Sequence, residues 1–289
     1  MPIRLLALDL DGTLLDPRGQ VTERNRRAVA AARERGVRVA VVTGRRFRDA
    51  RPVALELGLN VPVIAHNGAL TKHAATLETV AVFPLPLPAA LQAIQIGADA
   101  GVGALVSDDY EGLGVLVYDR LSRDNPALLK YIAWAQHIHG TDGAQNVREI
   151  GSLADYLDHA PVHISFSGQC AAMLELEKSL QLGLDGTAKV FSTIYSKANF
   201  TLLDVLHPEA SKGRGVAAAA GEMGIEQSEV MAVGDNFNDL EMLRYAGTGV
   251  VMGNADVALR EADGLYTTAA NDEDGVAEAI ERFILNSTN

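Results

Sequence analysis

The sequence predicts an α/β protein in which a doubly wound parallel sheet is interrupted by an inserted α+β segment. Two observations point there. Apolar stretches of strand length alternate with amphipathic stretches of helix length over residues 1–83 and again over 208–289, as parallel strands covered on both faces require. Over 84–207 that alternation gives way to a mixture of helices and strands, and a chain of 289 residues exceeds one ordinary domain.

Residues 3–8 form the first strand, which stops at Asp9. Residues 22–35 follow as a helix capped by Thr22, then 37–42 as a strand, 47–57 as a helix and 61–65 as a third strand. Pro84, Pro86 and Pro88 make a stiff exit into the insertion. There, 89–100, 126–134 and 171–182 read as helices, and 115–118, 162–167 and 200–206 as strands. The strand at 162–167 alternates, with Val162, Ile164 and Phe166 on one side and His163, Ser165 and Ser167 on the other, which predicts one dry and one wet face. The first rhythm returns with helices at 211–223, 239–245 and 274–284 and strands at 230–233 and 249–252, so the two ends of the chain are expected to form halves of one sheet.

Hydrophobic residues at 48% and charged residues at 21% supply a sizeable core and exclude a disordered chain. The longest apolar runs stop well short of the roughly 18 residues a membrane helix needs. Asp9 and Asp11 interrupt the N-terminal apolar run, so neither a secretion signal nor a membrane partner is expected. The single cysteine, Cys170, permits no internal disulfide and fits a reducing, cytoplasmic setting; it carries no expected role. A net charge of −12 excludes nucleic acid as the expected partner, because phosphates need a basic face to displace their counterions. The same charge repels an anionic small molecule. A phosphate ester therefore requires a site made locally positive by a metal ion, a lysine or helix N-termini.

Four segments can supply such a site: Asp9-Leu10-Asp11-Gly12-Thr13, Thr43-Gly44-Arg45, Ser211-Lys212-Gly213 and Gly234-Asp235-Asn236-Phe237-Asn238-Asp239. Three of them end apolar strands, and loops after parallel strands open on one edge of a sheet. Taken singly, each has a plainer reading. Asp-Gly closes a strand in an Asx turn, Thr43 caps the next helix, Asn238 or Asp239 caps the helix after it, and Lys212 is solvated like most lysines. Taken together, they meet the electrostatic demand. Asp9 and Asp235 offer hard oxygen donors to a cation such as Mg2+, and Lys212 with loop amides can hold a phosphate. Two acids one residue apart, Asp9 and Asp11, can divide nucleophilic attack from proton transfer.

These segments resemble motifs I to IV of the haloacid dehalogenase superfamily of phosphohydrolases, and the form of the fourth, with the insertion ahead of Lys212, is similar to Cof-type, subclass IIB members. Asn67-Gly68-Ala69, Met252-Gly253-Asn254-Ala255 and residues 272–276 are further matches, the last read as a helix start without a catalytic role. The resemblance implies a Rossmann-like core at 1–83 and 208–289 and a C2-type cap at 84–207 that selects the substrate. It implies that Asp9 is the nucleophile and a Mg2+ ligand, and that Asp11 is general acid and then base, with its main-chain carbonyl on the metal. It further implies that Asp235 ligates Mg2+ with Asp239 behind it, that Thr43, Gly44 and Asn238 contact the phosphoryl group, and that Lys212 offsets its charge. Arg45 and Asn67 are candidate substrate contacts. The expected activity is hydrolysis of small phosphorylated metabolites, sugar phosphates or similar monoesters, through an aspartyl-phosphate. A phosphomutase is the competing enzyme, and a non-catalytic sensor of a phosphorylated ligand is the competing class; an aspartate at position 11 favours turnover with water. Other motif families fail. A calcium loop starting at Asp9 would meet Leu14 and Gln20 where it needs glycine and glutamate, and neither GxxxxGK[ST] nor GxSxG occurs.

Overall fold

The computed structural model describes residues 2–59, 61–139 and 146–286. The chain divides into two compact units, Met1–Ala81 with Ser211–Asn289, and Val82–Ala210. In chain order, β1 (Leu5–Asp9), α1 (Glu23–Glu34), β2 (Arg38–Val42), α2 (Phe47–Glu56), β3 (Pro62–Ala65), β4 (Leu70–His73) and β5 (Thr79–Val82) come first. The inserted elements are α3 (Leu87–Asp99), β6 (Leu105–Asp108), β7 (Val115–Tyr118), α4 (Pro126–His139), β8 (Val147–Glu149), α5 (Leu153–Tyr156), β9 (His163–Gly168), α6 (Cys170–Leu184), β10 (Lys189–Tyr195) and β11 (Phe200–Leu206). The chain returns through α7 (Lys212–Glu222), β12 (Val230–Gly234), α8 (Leu240–Tyr245), β13 (Thr248–Val251), α9 (Val257–Arg260), β14 (Tyr266–Thr267) and α10 (Gly275–Ile280).

The first unit is built on a sheet of order β14-β13-β12-β1-β2-β3-β4-β5. From β14 to β3 every pairing is parallel. β1 lies in the middle, and Leu5, Leu6, Ala7 and Leu8 are wholly buried, which is why the run is continuously apolar. Burying each such leucine is worth about 1.5–3 kcal/mol. The chain winds one way from β1 through β2 and β3 and the other way through β12, β13 and β14. The winding reverses at β1, and the carboxyl edge beside such a reversal is where open α/β sheets form their crevice. At the far side, β4 turns back antiparallel on β3, an extension the expectation of parallel strands did not include. Residues 70–73 read Leu-Thr-Lys-His, which lacks the apolar run that marks the other strands, while β5, Thr-Val-Ala-Val, is half-buried along its whole length.

The second unit holds a six-stranded sheet of order β10-β11-β9-β6-β7-β8, antiparallel except where β8 joins β7. Ile94 of α3, Leu176 and Leu180 of α6, and Val106, Val117, Ile164 and Phe166 of the sheet make its main core. The alternate residues Leu105 and Leu116 face the other way and pack with Leu128 of α4. One expectation is corrected here. His163, Ser165 and Ser167 do not form a wet face, being 5%, 8% and 5% exposed. They lie on the Leu105 side of the sheet, and two of them have polar partners within the unit. Ser167 Oγ bonds the Asn125 side chain, whose Oδ1 caps α4 by accepting the amides of Ala127 and Leu128, and His163 Nε2 lies 3.5 Å from Asp204 Oδ1.

The same unit buries a second carboxylate at the end of β6. Asp108 Oδ2 accepts from Tyr156 Oη at 2.8 Å and from His159 Nε2 at 2.9 Å, while His159 Nδ1 lies 2.7 Å from Asp158. Asp158 and Asp108 hold the imidazole above its ordinary pKa, and burial with Asp108 pushes the Tyr156 phenol up to about 12. No helix among the described residues is long and apolar enough to cross a membrane.

Candidate active site

Asp9 is the last residue of β1, Thr43 follows β2, and Asp235 follows β12, all at the carboxyl edge of the sheet. Lys212 opens α7 behind the cap of Ser211, whose Oγ accepts the amide of Arg214 at 3.2 Å. The lysine is 2% exposed. Its Nζ donates to Asp9 Oδ1 at 2.7 Å and to Asp239 Oδ1 at 2.5 Å, so the plain reading of a solvated lysine does not hold. Asp239 is fully buried, and its Oδ2 accepts the amides of Asp235 and Asn236 at 3.0 Å each. It does cap a turn, though it caps the loop carrying Asp235 and leaves α8 uncapped. Thr13 Oγ1 donates to Asp235 Oδ1 at 3.2 Å. Gly12 has φ +83°, and a Cβ there would lie 2.2 Å from Asp235 Oδ2, so the glycine lets the backbone of the first loop approach the fourth.

Carboxylate oxygens of Asp9, Asp235 and Asp239 all come within 4.8 Å of one another, with the Lys212 ammonium among them. Burial drives Asp9 well above the usual carboxylate range; Lys212 opposes that, and Asp239 and Asp235 add to it. Asp235 is pushed up to about 6, again by burial first and Asp239 second, against Lys212 and Thr13. Burial pulls Lys212 down, yet Asp239 and Asp9 outweigh it and keep the ammonium charged. Three clustered acids against one cation leave an excess of negative charge, and hard carboxylate oxygens are the donors that Mg2+ and Ca2+ select. The cluster therefore fits a divalent metal ion. Asn238 Oδ1 is a buried acceptor without a protein partner, which a donor such as a metal-bound water would satisfy.

The remaining expected residues fall into two groups. Thr43 is buried; its Oγ1 accepts the amide of Arg45 at 3.1 Å, and the helix after it starts behind Arg46, so Thr43 is not that helix's cap. Gly44 lies against the Asn67 amide, 3.0 Å from where a Cβ would stand, and Asn67 Oδ1 accepts from Asn238 Nδ2 at 3.0 Å. Asp11 stands apart. Its carboxylate is largely exposed and lies outside the acidic cluster, held bidentately by Arg45, with Nε at 2.7 Å from Oδ2 and Nη2 at 2.5 Å from Oδ1.

Three contributors were given no role from the sequence, although Thr13 and Asn254 stand in segments quoted there. Thr13 and Asn254 both bond the loops around Asp235, Asn254 Nδ2 donating to the Gly12 carbonyl at 2.9 Å. Asn271 in turn fixes Asn254 by donating its backbone amide to Asn254 Oδ1 at 2.9 Å, and reaches Leu15 O with its side chain at 2.8 Å. Met252-Gly253-Asn254-Ala255 at the end of an apolar strand was the available signal. Asp274 is a helix-start residue, at φ +59° ahead of α10 and bonded by Thr22 Oγ1.

A doubly wound α/β core with an acid-rich site at its switch point is the class these features define. The chain matches the haloacid dehalogenase-like hydrolase family over residues 6–280, and it belongs to that family. It is 30% identical over 295 residues to a putative phosphatase, YxeH, of Bacillus subtilis strain 168, covering 98% of both chains. It is 32% identical over 254 residues to an HMP-PP phosphatase of Cronobacter sakazakii, covering 87% of this chain and 85% of that one. A solved haloacid dehalogenase-like hydrolase from Bacteroides thetaiotaomicron superposes with a TM-score of 0.78 at 27% identity, over 97% of this chain and 99% of that one.

Proposed function

We propose that the protein is a Mg2+-dependent phosphatase that hydrolyses small phosphorylated metabolites, sugar phosphates or similar organic monoesters, through an aspartyl-phosphate on Asp9. The observation that carries this reading is the buried Asp9 carboxylate, held on one oxygen by Lys212 beside an acidic cluster that calls for a cation. The phosphatase names of the relatives support it.

In this reading Asp9 attacks phosphorus, the ester oxygen leaves, and Asp11 gives that oxygen its proton. Asp11, now ionised, takes a proton from water; the water oxygen attacks the aspartyl-phosphate, the acyl phosphate bond breaks, and inorganic phosphate leaves with Asp9 restored. Thr43 and the Gly44 amide bind phosphoryl oxygens, and Lys212 offsets their charge. A Mg2+ ion would be held by Asp9, Asp235 and the main-chain carbonyl of Asp11, with Asp239 and Asn238 behind, and would supply further positive charge for the phosphoryl group. In the ligand-free site Arg45 holds both oxygens of Asp11, so Asp11 reaches the ester oxygen only when a substrate draws Arg45 away. The lone cysteine fits a cytoplasmic enzyme.

Purified protein given Mg2+ and an aryl phosphate should release inorganic phosphate, and EDTA should stop it. Asp9→Asn should lose at least about 10³-fold in kcat, and Asp11→Asn about 10²- to 10⁴-fold while still binding Mg2+. An Asp9→Asn protein as active as wild type would refute the nucleophile, and phosphate passing between substrates with none released would establish a mutase. A panel of hexose phosphates and other phosphorylated metabolites, HMP-PP included, ranked by kcat/KM, then identifies the substrate.

A further inference from the structure

We propose that Asn67 is a positioning residue for the metal side of this site, orienting the Asn238 amide, and not a substrate contact. The turn at His66–Gly68 lies outside the four motif segments, yet it touches three of them. His66 donates its backbone amide to Arg45 O at 2.9 Å, and Asn67 donates its own to Thr43 O at 3.0 Å, so the turn holds the Thr43–Arg45 loop from beneath. His66 Nε2 accepts the amide of Phe47, the first residue of α2, at 3.2 Å. Gly68 has φ +91°, and a Cβ there would lie 1.9 Å from Ser211 O, so the turn also abuts the start of α7, which carries Lys212.

Both His66 and Asn67 have φ +52°, a left-handed conformation that non-glycine residues seldom adopt once, let alone twice running. Strain of this kind persists where surrounding structure over-determines it, and such places cluster at functional sites. What the strain achieves here is the placement of one side chain. Asn67 Oδ1 accepts from Asn238 Nδ2 at 3.0 Å, and that bond decides which way round the Asn238 amide lies. With Nδ2 committed to Asn67, Oδ1 is left as a buried acceptor without a protein partner, next in sequence to Asp239 of the acidic cluster. An amide turned the other way would present a donor there and repel a metal-bound water. Partners behind a metal site that fix such orientations carry much of its affinity.

The test uses the full-length protein, with MgCl2 as the probe in thermal melting and an aryl phosphate for turnover. Asn67→Gly keeps the left-handed backbone and deletes the amide. It should raise the MgCl2 concentration at the midpoint of the Mg2+-dependent Tm rise roughly 10-fold and lower kcat roughly 10- to 100-fold, with KM moving by less than about threefold. Asn238→Ala should show the same pattern, and the double variant should be no worse than the poorer single one. Asn67→Asp keeps the acceptor and the left-handed preference, and its Mg2+ midpoint should be no weaker than that of wild type. A rise in KM at unchanged kcat would make Asn67 a substrate contact, and losses that multiply in the double variant would show that the two amides act separately; either overturns the proposal. The turnover arm rests on the phosphatase reading, whereas the melting arm does not. A wild type that hydrolyses no ester but melts with an Asn67-coupled response to Mg2+ would refute that reading and support this one.

Discussion

Each unit of the molecule buries carboxylates, and the two treat them in opposite ways. In the inserted unit, Asp108 meets a phenol and an imidazole, and the imidazole meets a second carboxylate. The one buried carboxylate of that cluster has the imidazole and the phenol as partners, the second acid, Asp158, stands in solvent, and the cluster ties the segment after α5 to the end of β6. In the core unit, Asp9, Asp235 and Asp239 share Lys212, and the balance fails on the negative side. The first arrangement contributes to stability. The second detracts from it, and by doing so holds a place for something positive. Buried acids thus mark a structural joint where their partners suffice and a reactive site where they fall short.

The largest effect expected from this contrast is at Lys212. Lys212→Met keeps the length of the side chain and removes the cation, leaving the buried acids unpaired. Breaking a buried pair from one side costs about 3–5 kcal/mol, to be read from the denaturant midpoint, and turnover should vanish with it. Unchanged stability would mean that the acids are solvated or protonated already, and the contrast would collapse.

Metal titration gives the next effect. A carboxylate whose pKa is raised by folding binds more protons in the native state, so the metal-free core loses stability as pH rises from the ordinary value of 3.8 towards about 6 at Asp235. Mg2+ needs the ionised acids. Its stabilising shift in Tm should therefore be large at pH 7.5 and small at pH 5, and a shift of equal size at both would contradict the raised values.

The smallest effect belongs to His159, which is about half-exposed. Its pKa is raised in the fold, so its contribution is fully present below the ordinary value of 6.5 and is lost as pH climbs through the raised value. His159→Gln should lower Tm at pH 6, and the difference should shrink towards pH 9. A constant difference across that range would show that His159 contributes shape and not charge.

Much of the core could be read from the chain because its strands are buried on both faces and therefore spell out continuous apolar runs. β4 escaped because Thr71, Lys72 and His73 leave it one apolar residue, Leu70, and β14 because it spans only Tyr266–Thr267; β5, Thr-Val-Ala-Val, carries an apolar run that the sequence reading passed over. The wet face expected of His163, Ser165 and Ser167 was a fair reading of alternation, but alternation records polarity and cannot tell solvent from internal partners. In the site, Asp9, Lys212, Asp235 and Asp239 stand in three of the four segments marked out in the sequence, and they meet in space. The Arg45–Asp11 pair was not legible, since nothing in Thr43-Gly44-Arg45 says which acid the guanidinium will choose. Nor was the work of Asn67, which depends on a side-chain bond to Asn238 across 171 residues of chain.

The bond between Lys212 and Asp9 spans 203 residues of chain, and β1 meets β12 across a similar distance. On a ribosome adding about 5–20 residues per second, roughly 10–40 s separate the two ends of that bond. Through this interval β1 can pair with β2 but has an open edge on its other side, in the middle of what will become the sheet. Open edges invite the wrong strand. The inserted unit lies between the two halves in the order of synthesis, so the core is the last part of the protein able to finish, and a chain cut short before α7 has Asp9 without the lysine that holds it.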